Sequence, residues 1–558
     1  MNAATENFFS RNKLLIAVLA GIGILYSLTL SVNHSEAEDC LYSIVDITQR
    51  PFAEQFETGH LFFGAVNKLL YRGFQLFGYQ GTAEAAIKTL NIIASLGGLA
   101  VLFMIGGYVG FPSTLRYLIL LLVAFSFGYW WYSVESEVYI PPIPFLLLSL
   151  HRLLLIREDP VKKKHHVILG LLHAAAIVLH QQHILFGFVI LVGYAAIFVE
   201  KRGTLPFSRF LGGVLLYGCV GVFTVIFSYL GVAVWARHLS SFPEIYKWFL
   251  GDAGTGRWGF WSLSAIWKAP IGFLRAIIGS HFVFSFPDLA NYLQMKIPTF
   301  LLREEVYMTK DFSAFRSISL VVLTSLFFLL ALFIFVKMRS HHALRRALTE
   351  GTFRERARLL FVITAASFAI YAVFNIWWEP QNLEFWISPL PFLLLALSVP
   401  LSRIIHEKKM QIILWMMVAC LFLSNLFGSI LPQNDRELDY WYVFNRWIIT
   451  HCGPGDLVIS GAGYISDGYI MLYSGADEMG TWDETTELEQ KFQDRVMLVQ
   501  PKRIFFSSTI LNPPHEMTSR FNIDVSYARN FFERRRKDLK LVHSDSWQDV
   551  FLYEPPRE

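Results

Sequence analysis

The chain has 558 residues, of which 54% are hydrophobic, 16% aromatic and 16% charged. A typical soluble chain is roughly 25% charged, so this composition excludes an ordinary soluble domain, and a net charge of +4 gives no footprint for nucleic acid. What carries information is the length of the apolar runs and the placement of Lys and Arg between them.

The first apolar run, Leu14 to Val32, follows Arg11 and Lys13. It is long for the apolar part of a signal peptide, and no small-residue cleavage site follows, so it is expected to stay as a first span. Ten more apolar runs of membrane length follow, at 87–108, 114–131, 138–156, 166–180, 183–199, 210–236, 316–336, 358–377, 383–401 and 410–430. The expected fold is an all-α polytopic membrane protein of about eleven transmembrane helices, covering 1–431, with a small α/β domain at 432–558. Within that tail, Asp456–Ser460, Arg503–Ser507 and Asp549–Tyr553 read as strands.

Basic residues fix the expected orientation. They crowd the loops at 152–164, 201–209, 337–358 and 403–409. Alternate loops are therefore cytoplasmic, the N-terminus lies inside, and the tail lies outside a plasma (inner) membrane. His180-Gln181-Gln182-His183 splits a long apolar stretch flanked by basic loops, which calls for a helical hairpin. The segment 271–286 is apolar but holds Arg275 and His281, and it reads as an interfacial or re-entrant helix. Two outer segments, 33–86 and 237–315, are long enough to carry function. Of the four cysteines, Cys219 and Cys420 lie in apolar runs as packing residues. Cys40 and Cys452 both fall outside, where a disulfide is open to them but is the less favoured reading.

The chemistry-bearing residues collect at the outer ends. The first outer loop reads Glu36-Ala37-Glu38-Asp39-Cys40-Leu41-Tyr42, then Asp46. On a helix Asp39, Tyr42 and Asp46 share a face. A carboxylate there can serve as general base toward a hydroxyl, and two adjacent acids can hold a divalent cation. The bland alternative, a solvated acidic loop, is the more frequent outcome for such a run taken alone. Glu135 and Glu137 sit within an aromatic belt, where acids are costly and suggest a metal or a basic partner. His180 and His183 can ligate a metal or bind phosphate, against the plainer reading of a polar turn. Glu379 follows Trp377-Trp378 at another outer turn, with Glu384 close behind. Arg237, Arg257, Lys268 and Arg275 are the cations available to a lipid phosphate, although each singly reads as a snorkelling residue.

These motifs together resemble the GT-C superfamily of membrane glycosyltransferases, in particular the protein O-mannosyltransferases and the lipid A aminoarabinose transferases. Glu38-Asp39-Cys40-Leu41-Tyr42 looks like the acidic pair plus tyrosine of that superfamily's first outer loop. Gly59-His60-Leu61-Phe62-Phe63, the Glu135/Glu137 loop and Trp378-Glu379-Pro380 look like further outer-face elements. The similarity covers residues 1–236 well and 237–430 loosely. It implies transfer of a hexosyl or pentosyl unit from a polyprenyl-phosphate-linked donor to a hydroxyl of a lipid, glycan or protein acceptor, with inversion. One first-loop acid would be the base. The order here is Glu-Asp where the superfamily usually has Asp-Glu, and the shared face favours Asp39 over Glu38. A divalent cation (Mg or Mn) is compatible with this chemistry, with Glu135, Glu137 and His183 as candidate ligands. The competing readings are a lipid-linked-sugar flippase or transporter, a glycan polymerase or ligase, and a scaffold that displays the tail. A transporter would place charges near the bilayer midplane and show repeats; here the acids fall at helix ends and no repeat is evident.

Overall fold

A computed structural model describes residues 12–251, 259–296, 301–350, 354–481, 487–514 and 525–554. The chain forms two compact units. The first comprises Met1–Leu30, Ile47–Ser280 and Ile318–Ile430, and the second Ser31–Asp46, His281–Ser317 and Leu431–Glu558.

The first unit is helical. Among the described residues, seven helices are long and apolar enough to cross a membrane: Glu84–Val109, Gln181–Lys201, Phe207–Ala236, Ala314–Ser340, Arg354–Trp378, Glu384–Leu401 and Lys408–Gln433. The pair Ser113–Ala124 and Phe127–Val134, bent by 63°, makes an eighth if it counts as one span. The remaining expected spans coincide with shorter helices: Lys13–Leu28 and Ile143–Glu158 with 16 residues each, and Lys163–Leu179 with 17. A helix rises 1.5 Å per residue, so about 20 residues are needed to cross the hydrocarbon core unaided. The chain is thus a multi-pass membrane protein in which seven or eight helices among the described residues reach crossing length by themselves.

The chain doubles back at His180–His183. The His166 ring lies 2.7 Å (Nδ1 to Oη) from the Tyr194 hydroxyl, and the His173 and Phe186 rings are 6.1 Å apart, the spacing of an antiparallel hairpin. At one end of the unit Arg157, 5% exposed, meets Glu158 at 3.0 Å, Glu200 at 2.6 Å and Glu355. Arg356 adds an ion pair to Glu158 at 3.0 Å, and the Tyr108 hydroxyl donates to the same carboxylate. The ends of four helices are therefore tied at a single face.

The amphipathic helix Leu263–Ile277 is reversed relative to one in a soluble protein. Ala265, Ala269, Gly272 and Ala276 are its buried positions, while Leu263, Ile266, Trp267, Ile271 and Leu274 are exposed. Bulky apolar groups facing outward suit lipid.

The second unit is built on a five-stranded sheet of order β2-β1-β3-β5-β4, with β1 Asp456–Ser460, β2 Asp477–Gly480, β3 Arg503–Ser507, β4 Leu539–Ser544 and β5 Asp549–Tyr553. Strands β2, β1 and β3 are parallel, and β5 is antiparallel to both β3 and β4. Strand β1, between β2 and β3, is buried along its length, and its side chains alternate between two cores. Leu457 and Ile459 pack with Phe506, Phe531 and Phe532, while Val458 packs with Phe505, Val550, Ile448 and Ile470. Helices Tyr464–Ser474 and Leu488–Val499 make the parallel crossovers that two-residue turns cannot make. At the end of β1 only glycine fits, because a Cβ on Gly461 would lie 2.5 Å from the Thr509 carbonyl oxygen.

Candidate functional site

Each unit holds a group of polar residues. In the second unit, Glu38–Gln49 is a helix. Asp39 is exposed on it and Asp46 half-buried. The Tyr42 hydroxyl donates to the Tyr464 carbonyl at 2.8 Å, which pins this helix to the crossover after β1. Burial, followed by the charges of Asp467, Glu478, Asp39 and Asp46, holds the Tyr42 hydroxyl far above its ordinary pKa, so it is a neutral donor. The side chain of Glu38 lies outside the described residues.

One turn before Asp39, Glu36 enters a buried group. His281 Nε2 lies 2.8 Å from Glu36 Oε2, and the Gln433 amide donates to the same oxygen at 3.3 Å. Glu36, His281 and Glu305 each bring a ligand atom within 4.8 Å of the others, at 9%, 1% and 3% exposure. Adjacent Glu304 is fully buried. Its Oε1 accepts from the Trp441 indole at 2.7 Å, and its Oε2 has no hydrogen-bond partner among the described residues. Burial, with the Glu36 charge adding to it, pushes the Glu304 carboxyl well above the ordinary range. Two carboxylates and an imidazole from three distant segments are hard and borderline donors that fit a divalent cation.

A fourth buried acid anchors the start of the outer loop. Asp439 accepts from the Tyr469 hydroxyl at 2.5 Å, from the His34 amide at 3.2 Å and from the Tyr442 amide at 3.0 Å. Burial pushes its pKa up to about 6. All four cysteines, Cys40 and Cys452 included, are free thiols.

In the first unit the residues singled out in sequence are strung around Glu384. Its two carboxylate oxygens accept from the Tyr132 hydroxyl at 2.9 Å and the Tyr139 hydroxyl at 2.7 Å. The Asn382 amide bridges Glu384 at 2.9 Å and Glu379 at 3.3 Å. The Tyr139 ring lies 5.1 Å from His180, which in turn is 4.6 Å from His60 and 5.4 Å from His183. His183 Nδ1 is 2.8 Å from the Tyr371 hydroxyl. Glu135 and Glu137 are buried, and the Asn91 amide donates to the backbone carbonyl of each at 2.7 Å. The fold thus joins Glu379, His180 and His183 through residues that sequence reasoning had not assigned: Tyr132, Tyr139, Asn382, Glu384 and His60.

Of the four expected cations, three lie among the described residues. The Arg237 guanidinium donates twice to the Phe56 carbonyl, at 2.6 and 3.1 Å. Lys268 is exposed and Arg275 half-buried on Leu263–Ile277, with Pro270 between them. Arg257 lies outside the described residues.

No protein-family model matches the chain, and no curated protein matches it in sequence. Solved structures do match. ArnT from Cupriavidus metallidurans in its apo state superposes with a TM-score of 0.50 at 12% identity, over 100% of both chains. The same protein bound to undecaprenyl phosphate gives 0.48 at 14% identity, over 98% of this chain and 100% of the other. An Archaeoglobus fulgidus oligosaccharyltransferase complexed with Zn and sulfate gives 0.47 at 14% identity, over 89% of this chain and 68% of the other. The first match carries the conclusion about architecture: the chain has the fold of this ArnT.

Proposed function

We propose that this chain is an inverting membrane glycosyltransferase that moves a sugar from a polyprenyl-phosphate-linked donor to a hydroxyl acceptor at the outer face of the membrane. The observation that carries the reading is the ArnT fold spanning the whole chain. The exposed Asp39, on a helix that Tyr42 fixes in place, supports its residue assignment.

Asp39 is the general base in this reading, with Glu38 as the alternative. Its carboxylate takes the proton of the acceptor hydroxyl as that oxygen bonds the anomeric carbon. The bond from that carbon to the phosphate oxygen breaks, and its electron pair leaves with the polyprenyl phosphate. Attack opposite the leaving group inverts the configuration. Tyr42, Asp46, Glu135, Glu137, His180, His183 and Glu379 are assigned to acceptor or sugar binding, and Arg237, Arg257, Lys268 and Arg275 to the donor phosphate. A divalent cation would be held by Glu36, His281 and Glu305, with Glu135, Glu137 and His183 as alternative ligands. When bound, it supplies positive charge to phosphate oxygens.

The test is transfer from a defined polyprenyl-phosphate sugar, run beside a thermal-stability measurement. Asp39→Asn is expected to lower the rate about 10²–10⁴-fold while the protein stays folded, since the residue is exposed. Full activity in Asp39→Asn, Glu38→Gln and the double variant would reject the assignment and favour a transporter or scaffold.

A further inference from the structure

The second unit contains a cavity of about 540 Å³, of whose lining the assignments above use only Tyr42. Tyr42, Asp467 and the end of β2, Glu478 to Gly480, form its inner wall. The facing wall is one side of the helix Leu488–Val499, where Glu487, Gln490, Lys491, Asp494, Arg495 and Leu498 recur at helical spacing. Its volume lies within the roughly 300–1,000 Å³ of small-molecule sites.

The lining mixes polar and apolar surface, and its ionisable groups are four acids, Asp467, Glu478, Glu487 and Asp494, beside two cations, Lys491 and Arg495. Asp467 is 1% exposed. Glu478 Oε1 is buried with no hydrogen-bond partner among the described residues. Burial and the neighbouring Asp467 push Glu478 well above the ordinary carboxylate range. Arg495 pairs with Asp477 at 3.1 Å, Lys491 donates to the Gly480 carbonyl at 3.4 Å, and the Gln490 amide donates to Asp494 at 2.8 Å. An anionic ligand would meet the acidic floor. A cationic one would meet Lys491 and Arg495 on the facing helix. Acceptors and donors on both walls suit a neutral ligand whose groups both donate and accept, and the vicinal hydroxyls of a sugar ring match a lining of carboxylate, amide, ammonium and guanidinium groups. Tyr42 connects the cavity to the reaction, since it lies one helical turn from Asp39 and feels its charge.

We propose that this cavity binds a neutral sugar unit of a glycan acceptor and presents it beside the first-loop helix. The proposal rests on the glycosyltransferase reading for its role in transfer, but the binding itself does not depend on activity. The experiment is direct titration of full-length protein in lipid nanodiscs with lactose, cellobiose, mannobiose and diacetylchitobiose. Gln490 and Asp494 are exposed on their helix, so Gln490→Trp fills the cavity and Asp494→Ala strips a polar group while the fold is retained, as thermal melting checks. At least one disaccharide is expected to bind with a Kd of about 1 mM or tighter, weakened tenfold or more in both variants. Asp39→Asn is expected to bind it like the wild type, which separates the two hypotheses. Transfer that survives in the Asp39 and Glu38 variants strikes the catalytic assignment alone. Absence of saccharide binding, or equal binding in the two cavity variants, overturns this one.

Discussion

At Asp439 a single side chain carries a pH dependence whose sign can be fixed. Its folded pKa is about 6, against an ordinary value of 3.8. Between those values the folded chain keeps a proton that the unfolded chain has released. The stabilisation is therefore complete below pH 3.8 and is lost as pH rises through 6. A shift of this size corresponds to about 3 kcal/mol. Hydrogen-exchange protection of Tyr440–Phe444 in the wild type should fall between pH 4 and pH 7, and Asp439→Asn should flatten that fall. An unchanged pH profile in the variant would show that another group is responsible. The cation group gives a second prediction at this scale. Mn²⁺ should raise the melting temperature of the wild type, and His281→Ala or Glu305→Gln should remove most of that rise.

The buried acids also show where the sequence stops being legible. Asp39, Tyr42 and Asp46 could be grouped because helical spacing is local. Glu36, His281 and Glu305 come from three segments that only the fold brings together, so no spacing announces them. His281 did stand out as a polar residue in an apolar run, and Glu36 opened the acidic run. Glu384 was visible as an outward acid, but its clamp of Tyr132, Tyr139 and Asn382 spans two distant loops.

Among elements, strands β1, β3 and β5 could be read residue for residue, because β-branched and aromatic runs bounded by polar residues are strong signals. Strand β2, Asp-Glu-Met-Gly, has no such character and pairs only because β1 lies beside it. Strand β4 is an edge strand and mostly exposed, so burial leaves little pattern in it. The helix ends joined at Arg157 give a prediction of their own. Arg157→Ala leaves Glu200 and Glu355 without their shared cation. Breaking a fully buried pair costs about 3–5 kcal/mol, and because the carboxylates are partly exposed the expected loss is nearer 2–3 kcal/mol. Arg157→Lys should restore part of it. Thermal melting in detergent measures both, and an Ala variant as stable as the wild type would mean the cluster contributes no net stability.

For the whole molecule, apolar runs foretold where helices lie, and seven or eight of the described helices have crossing length where eleven spans are expected. Ile143–Glu158 and Lys163–Leu179 are apolar yet short, and hydropathy registers composition more readily than length. The topology is tested by reporter fusions at residues 345 and 500, which should report opposite sides of the membrane. If both report one side, the loop-charge orientation fails, and with it the outer placement of Asp39.

The reversed helix Leu263–Ile277 turns the usual rule of mutational tolerance around. A Cβ on Gly272 would lie 2.6 Å from the Pro380 carbonyl oxygen and 2.8 Å from the Trp386 indole nitrogen, whereas Trp267 is 79% exposed. Gly272→Ala should therefore harm yield and thermal stability more than Trp267→Leu, although it adds a single methyl group. A deep mutational scan across this segment would look like the photographic negative of a soluble helix, with its deepest losses at the smallest side chains.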